Sequence, residues 1–263
     1  MIKEITEYLG RDREKYKEFL TEMKKYHEHK DKRHLKAFYD NEYYQRIYKG
    51  TPNARLDRKF KIITRLMKLK QGETVLDIGC ATKWLKPYIT QYGATYVGLD
   101  MSKNFRPDVV ADAQVLPIKN RVFDWVVLAD VIEHVPNPQN VITETVRVAK
   151  GIAAVVPNLY HLNSLTFLPS SPYDGHLNKM TPKRWNKMLE DNGVRILATR
   201  GFMYTPSVSF YSIKLLEAID LVFGTKPFLL INDLLDPLIS ERAPGKYLGQ
   251  EFIIVGETCA TNV

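Results

Sequence analysis

Cysteine is scarce in this chain: Cys80 and Cys259 are the only two among 263 residues. That excludes a disulfide framework as the source of stability and fits a reducing compartment. Long apolar runs are missing too. No stretch reaches the roughly 18 consecutive apolar residues of a membrane-spanning helix. The leucine- and isoleucine-rich segment 228–239 is broken by Asn232, Asp233, Asp236 and Pro237. Met1-Ile2-Lys3-Glu4 lacks a basic stretch leading into an apolar core, so no signal peptide is expected and a cytoplasmic location is. Internal repeats and low-complexity tracts are absent.

What is present is globular. Hydrophobic residues make up 44% and charged residues 26%, enough to bury a core without staples. The net charge of +8 is unevenly placed, since residues 1–70 hold 20 Lys and Arg against 11 Asp and Glu. Such an excess would serve contact with nucleic acid, anionic lipid or a phosphorylated substrate. Its interleaving with Glu and Asp equally fits a solvated helical face.

The periodicity divides the chain in two. Residues 1–70 read as a basic helical cap, with an amphipathic helix over 56–69 that presents Phe60, Ile63, Leu66 and Met67 on one face. From residue 71 short apolar runs alternate with helices. The strands are expected at 74–79, 94–100, 108–111, 123–129, 152–156, 194–204 and 250–256. Helices fit at 83–92, 138–149 and 181–192, the last with Thr181 as N-cap and Pro182 at the first helical position. This order predicts an α/β, Rossmann-like, doubly wound and mostly parallel seven-stranded sheet. An N-terminal helical extension precedes it, and an apolar insertion at 205–247 lies before the last strand.

Ligands of open α/β sheets bind beyond the carboxyl ends of the strands. There the sequence places Asp77, Gly79, Cys80 and Ala81 after the first strand, Asp100 ending the second, Asp112 after the third and Asp130, Glu133 and His134 after the fourth. Gly79 permits close backbone approach, and the acid 21 residues further on can accept hydrogen bonds from ribose hydroxyls. A dinucleotide-binding G-x-G-x-x-G would need glycines where Ala81 and Trp84 stand, so an adenosine ligand without a pyrophosphate suits the site better.

Val75-Leu76-Asp77-Ile78-Gly79-Cys80, Tyr96-Val97-Gly98-Leu99-Asp100, Ala111-Asp112-Ala113-Gln114-Val115-Leu116-Pro117 and Phe123-Asp124-Trp125-Val126-Val127 follow one another at a spacing that resembles the class I S-adenosylmethionine-dependent methyltransferases. The resemblance implies S-adenosylmethionine as cofactor. Asp77 and Gly79, with Cys80, Ala81 and Asp130 nearby, would lie against its methionine part. Asp100 would take the ribose hydroxyls beside Met101, and Asp112 and Ala113 the adenine. The family has glycine where this chain has Ala81 and Lys83.

The segment Asp130-Val131-Ile132-Glu133-His134 puts two carboxylates three residues apart with an imidazole adjacent. Asp130, Glu133 and His134 could hold a divalent metal such as Mg²⁺, or Glu133 and His134 could do acid–base work. The stretch is similar to that of ubiquinone-biosynthesis O-methyltransferases and of small-RNA 2′-O-methyltransferases. The latter similarity makes His176 a further base or ligand. O-methylation of a small molecule, lipid or glycan is the function expected. The alternatives are an RNA methyltransferase that uses the basic cap, or a non-catalytic binding module on the same fold. The 205–247 insertion would form a lid over an apolar acceptor or a homodimer surface.

Overall fold

The computed structural model describes residues 21, 22, 24, 25, 28–40, 54–158, 176–202, 249 and 251–259. Asp31 starts α1 (Lys32–Asp40), its carboxylate accepting the free N–H groups of Arg33 and His34 at 2.8 and 3.0 Å. The amphipathic segment then forms α2 (Ala54–Met67).

Apolar and β-branched residues build the central strands. β1 (Thr74–Ile78), β2 (Thr95–Asp100) and β4 (Phe123–Ala129) are buried along most of their length. β3 (Val109–Val110) is short and lies at one edge. β5 (Ala149–Pro157), β6 (Val194–Phe202) and β7 (Glu251–Thr258) complete a seven-stranded sheet in the order β3-β2-β1-β4-β5-β7-β6. The first five strands are parallel, whereas β7 runs antiparallel to both β5 and β6.

Between the strands lie α3 (Lys86–Thr90), α4 (Pro138–Val148) and α5 (Pro182–Asp191). The period of two along each strand sorts the core into two layers. Leu76, Ile78, Val126 and Leu128 face α4 and α5 through Val141, Ile142, Trp185 and Leu189. Val75, Trp125 and Val127 face the opposite layer of Phe60, Ile63, Met67, Leu85 and Ile89. This is the doubly wound architecture expected of the sequence.

Two starting points differ from expectation by three residues, and other boundaries by one or two. The helix expected at 83–92 is confined to 86–90, because Ala81 and Lys83 adopt left-handed backbone with φ of 41° and 60° and prolong the turn after β1. The fifth strand starts at Ala149, directly where α4 ends, rather than at 152. Most of residues 1–49, expected as helix, and the 205–247 insertion with its lid or dimer surface lie outside the described residues. No helix among the described residues is long and apolar enough to cross a membrane.

Candidate active site

Four carboxylates end or follow the four strands that open on one cavity of about 260 Å³. Strand order sets them in a row: Asp112 beyond β3, Asp100 at the tip of β2, Asp77 in β1 and Asp130 beyond β4. Asp77 is 4% exposed, and the Tyr96 hydroxyl donates to its Oδ2 at 2.7 Å. Burial, opposed by that hydrogen bond and reinforced by the Asp100 charge, lifts its pKa from 3.8 to about 7. Burial likewise raises Asp100, against hydrogen bonds from the Ser102 and Ala81 backbone at 2.8 and 3.0 Å. Asp112 Oδ1 accepts from the Gln114 backbone at 3.0 Å.

The turn after β1 is held in an unusual shape. Gly79 has φ of 73°, and a Cβ there would stand 2.6 Å from Val131 Cγ2, so only glycine fits. Ala81 and Lys83 take left-handed backbone without glycine, at a cost of about 1 kcal/mol each. Two contacts oppose that strain: Ala81 N–H donates to Asp100, and Lys83 Nζ meets Asp108 Oδ1 at 2.6 Å.

α2 roofs the cavity with Leu56 and Phe60, and α1 adds Tyr39. The roof is stapled from within. Lys59, 2% exposed, places its ammonium 2.6 Å from Asp130 Oδ2 and 2.8 Å from Glu251 Oε2. Arg55, one helical turn earlier, also pairs with Glu251. Burial alone would raise the Glu251 pKa, but the Arg55 and Lys59 charges outweigh it and hold the carboxyl well below its usual range.

Beside the cavity the 130–135 turn carries a second polar group. Glu133 is 1% exposed, and its Oε2 has no hydrogen-bond partner among the described residues. Its pKa is raised, chiefly by burial and then by the Asp130 charge. Glu133 Oε1 lies 3.8 Å from His134 Nε2, and the His134 and His176 rings are 4.9 Å apart. One donor atom each from Glu133, His134 and His176 can be chosen within 4.8 Å of one another. Tyr39 touches both regions, lining the cavity and meeting the His134 ring edge-on at 6.5 Å.

The profile of the family described as "Methyltransferase domain" matches residues 51–199. The chain belongs to that family of class I S-adenosylmethionine-dependent methyltransferases. It is 27% identical over 169 residues to the ubiquinone biosynthesis O-methyltransferase of Hahella chejuensis, covering 54% of this chain and 71% of that enzyme. It is 26% identical over 200 residues to an uncharacterized protein of Methanocaldococcus jannaschii, covering 73% and 76%. Its fold is similar to a SAM-dependent methyltransferase of Aquifex aeolicus, with a TM-score of 0.53 at 15% identity over 81% of this chain and 97% of that one. It is equally similar to the [4+2]-cyclase SpnF, with a TM-score of 0.56 at 16% identity over 81% and 85%. Fold alone therefore leaves the chemistry to the site.

Asp77, Gly79, Cys80, Ala81, Asp100, Met101, Asp112, Ala113 and Asp130 all line the methyltransferase's cavity. The expected metal set of Asp130, Glu133 and His134 is arranged differently. Lys59 claims the Asp130 carboxylate, and His176 stands in its place beside Glu133 and His134. The basic cap also differs from a plain solvated face, because Arg55 and Lys59 spend their charges on internal acids.

Two further residues escaped sequence reasoning. Lys59 reads as one more surface lysine. Asn178 joins the two parts of the histidine cluster but has no motif of its own. The one local signal at Lys59 is its position next to Phe60 on the apolar face of α2.

Proposed function

We propose that this methyltransferase binds S-adenosylmethionine along the acid row and transfers its methyl group to a hydroxyl held at Glu133, His134 and His176. The adenosine end would lie at Asp112 and Asp100, and the cationic amino-acid and sulfonium end at Asp77 and Asp130. Four acids line the cavity, with no lysine or arginine among the described residues that do so, which suits a ligand whose charge is concentrated at that end. The observation that carries the oxygen acceptor is the juxtaposition of the Glu133–His134–His176 donors with the cavity across Tyr39, Val131 and Val135. The ubiquinone-biosynthesis O-methyltransferase relatives support the same choice.

The sulfonium methyl is already activated, so the protein's main task is alignment of the acceptor oxygen in line with it at about 3 Å. As the C–O bond forms, the S–C electron pair returns to sulfur and the hydroxyl proton passes to an imidazole of His134 or His176. Two imidazoles and a buried carboxylate with an unpartnered oxygen also suit a divalent ion, with Mg²⁺ the expected one and the nitrogen donors favouring a softer metal. Such an ion, when bound, would supply Lewis acidity that lowers the acceptor's pKa. The acceptor class we favour is a small molecule, lipid or glycan.

Calorimetry with S-adenosylmethionine, with and without Mg²⁺ or a chelator, followed by methyl transfer to a panel of hydroxyl acceptors, tests this reading. Asp100→Ala should weaken cofactor binding about tenfold, as loss of hydrogen bonds to a charged group would. His134→Ala and His176→Ala should abolish transfer while cofactor affinity stays within about twofold. Transfer that survives both histidine changes would exclude the cluster from the reaction.

A further inference from the structure

We propose that Asn178 is the positioning residue of the histidine–carboxylate site: it sets where His176 stands relative to Glu133 and His134. The inference rests on the role just proposed for that cluster. Glu133 and Asn178 are 45 residues apart in sequence, so nothing local brings His176 to the turn after β4.

The backbone makes the first attachment. The N–H groups of Leu177 and Asn178 both donate to the Glu133 carbonyl, at 2.8 and 3.0 Å. Two bonds that converge on one oxygen form a pivot, about which the 176–178 segment could swing. The Asn178 side chain removes that freedom. Its Nδ2 donates to the Val135 carbonyl at 2.7 Å and to the Ile132 carbonyl at 3.1 Å, one on each side of Glu133 in sequence. An amide nitrogen has two hydrogens, and these two closer acceptors take them, with the Glu133 carbonyl a longer third contact at 3.5 Å. All its partners are carbonyl oxygens, which fixes the orientation of the amide.

The chemistry is restrictive. Aspartate would turn an acceptor oxygen toward the same carbonyls, alanine would leave them without a donor, and glutamine is one methylene too long. His176 precedes this three-point attachment by one residue, and its ring rests 4.9 Å from that of His134. Fixing that segment fixes the third donor of the cluster. Supporting partners of this kind commonly govern the affinity of a metal or the alignment of a base without touching either.

The test uses the full chain, Co²⁺ as the metal probe, and the variants Asn178→Asp and Asn178→Ala. Thr181→Ala is the control. It removes the N-cap of α5, whose hydroxyl accepts from the Arg184 N–H at 3.2 Å, and leaves the turn untouched. We expect both Asn178 variants to weaken Co²⁺ binding, read from visible absorption, by about 10- to 100-fold. Their affinity for S-adenosylmethionine should stay within about twofold. Thr181→Ala should lower the Tm and keep the Co²⁺ affinity. In metal-free protein, nuclear Overhauser contacts between the His134 and His176 rings should be present in the unmodified chain and lost in the Asn178 variants. Asn178→Ser, which retains one short donor, substitutes where either variant fails to fold and should fall in between.

Undiminished Co²⁺ affinity in the Asn178 variants, ring contacts that survive them, or an equal loss in Thr181→Ala would each overturn the positioning role. Absence of Co²⁺ binding by the unmodified protein would instead overturn the metal reading, and the ring contacts would then decide the role of Asn178.

Discussion

Replacing Asp77 by asparagine should stabilise the cofactor-free protein above neutral pH and, at the same time, loosen its grip on the cofactor. In the folded chain this carboxyl titrates at about 7, raised by burial and partly relieved by the Tyr96 hydroxyl. In the unfolded chain it titrates at about 3.9. Between those values the folded state keeps a proton that the unfolded state has released. The stability contributed by Asp77 is therefore complete below about pH 4 and is lost as pH rises through about 7. The full difference is worth about 4 kcal/mol.

Asparagine cannot ionise, yet it keeps an acceptor for Tyr96. In urea melts of the two cofactor-free proteins the advantage of the variant should grow by about 3 kcal/mol between pH 5 and pH 8. Saturating S-adenosylmethionine should narrow the gap at pH 8 without reversing it, because the binding loss is smaller than the gap. An ionised carboxylate facing a sulfonium and an ammonium is attracted to them, so Asp77→Asn should weaken binding about tenfold, or about 1.4 kcal/mol. A stability difference that does not grow with pH would refute the assignment of the raised carboxyl to Asp77.

Gly79→Ala should cost about 3 kcal/mol, combining left-handed backbone in a residue with a side chain and a methyl forced 2.6 Å from Val131 Cγ2. A thermal melt measures the loss, and a cost under about 1 kcal/mol would mean that the turn yields freely. Lys59→Met should destabilise by about 3 kcal/mol, because it strips a buried cation from Asp130 and leaves Glu251 with Arg55 alone. Hydrogen exchange should then show faster opening of α2 over residues 54–67, whereas unchanged protection would separate Lys59 from the roof.

The sheet was legible because its signals are local. Apolar runs such as Thr74–Ile78 and Phe123–Ala129 carry the period and composition of buried strands, and Thr181-Pro182 and Asn137-Pro138 mark helix starts. The row of acids along the cavity was legible for the same reason. Parallel strands all point their carboxyl ends one way, so acids at strand ends must share one crevice. The turn after β1 was harder to read. Ala81 and Lys83 look like the start of a helix until the bonds to Asp100 and Asp108 hold them in left-handed backbone.

The sequence by itself thus determined the layered α/β fold and the row of Asp77, Asp100, Asp112 and Asp130, because both follow from periodicity and chain direction. The tertiary structure alone decided which charges meet. Asp130 lies three residues from Glu133 but pairs with Lys59, 71 residues away, while His176 brings a donor atom close to those of Glu133 and His134. Sequence spacing constrains neighbours on one element, whereas the desolvation cost of a buried ammonium or carboxylate is met by whichever partner the packing brings within about 3 Å. That choice is made between elements, where no local pattern records it.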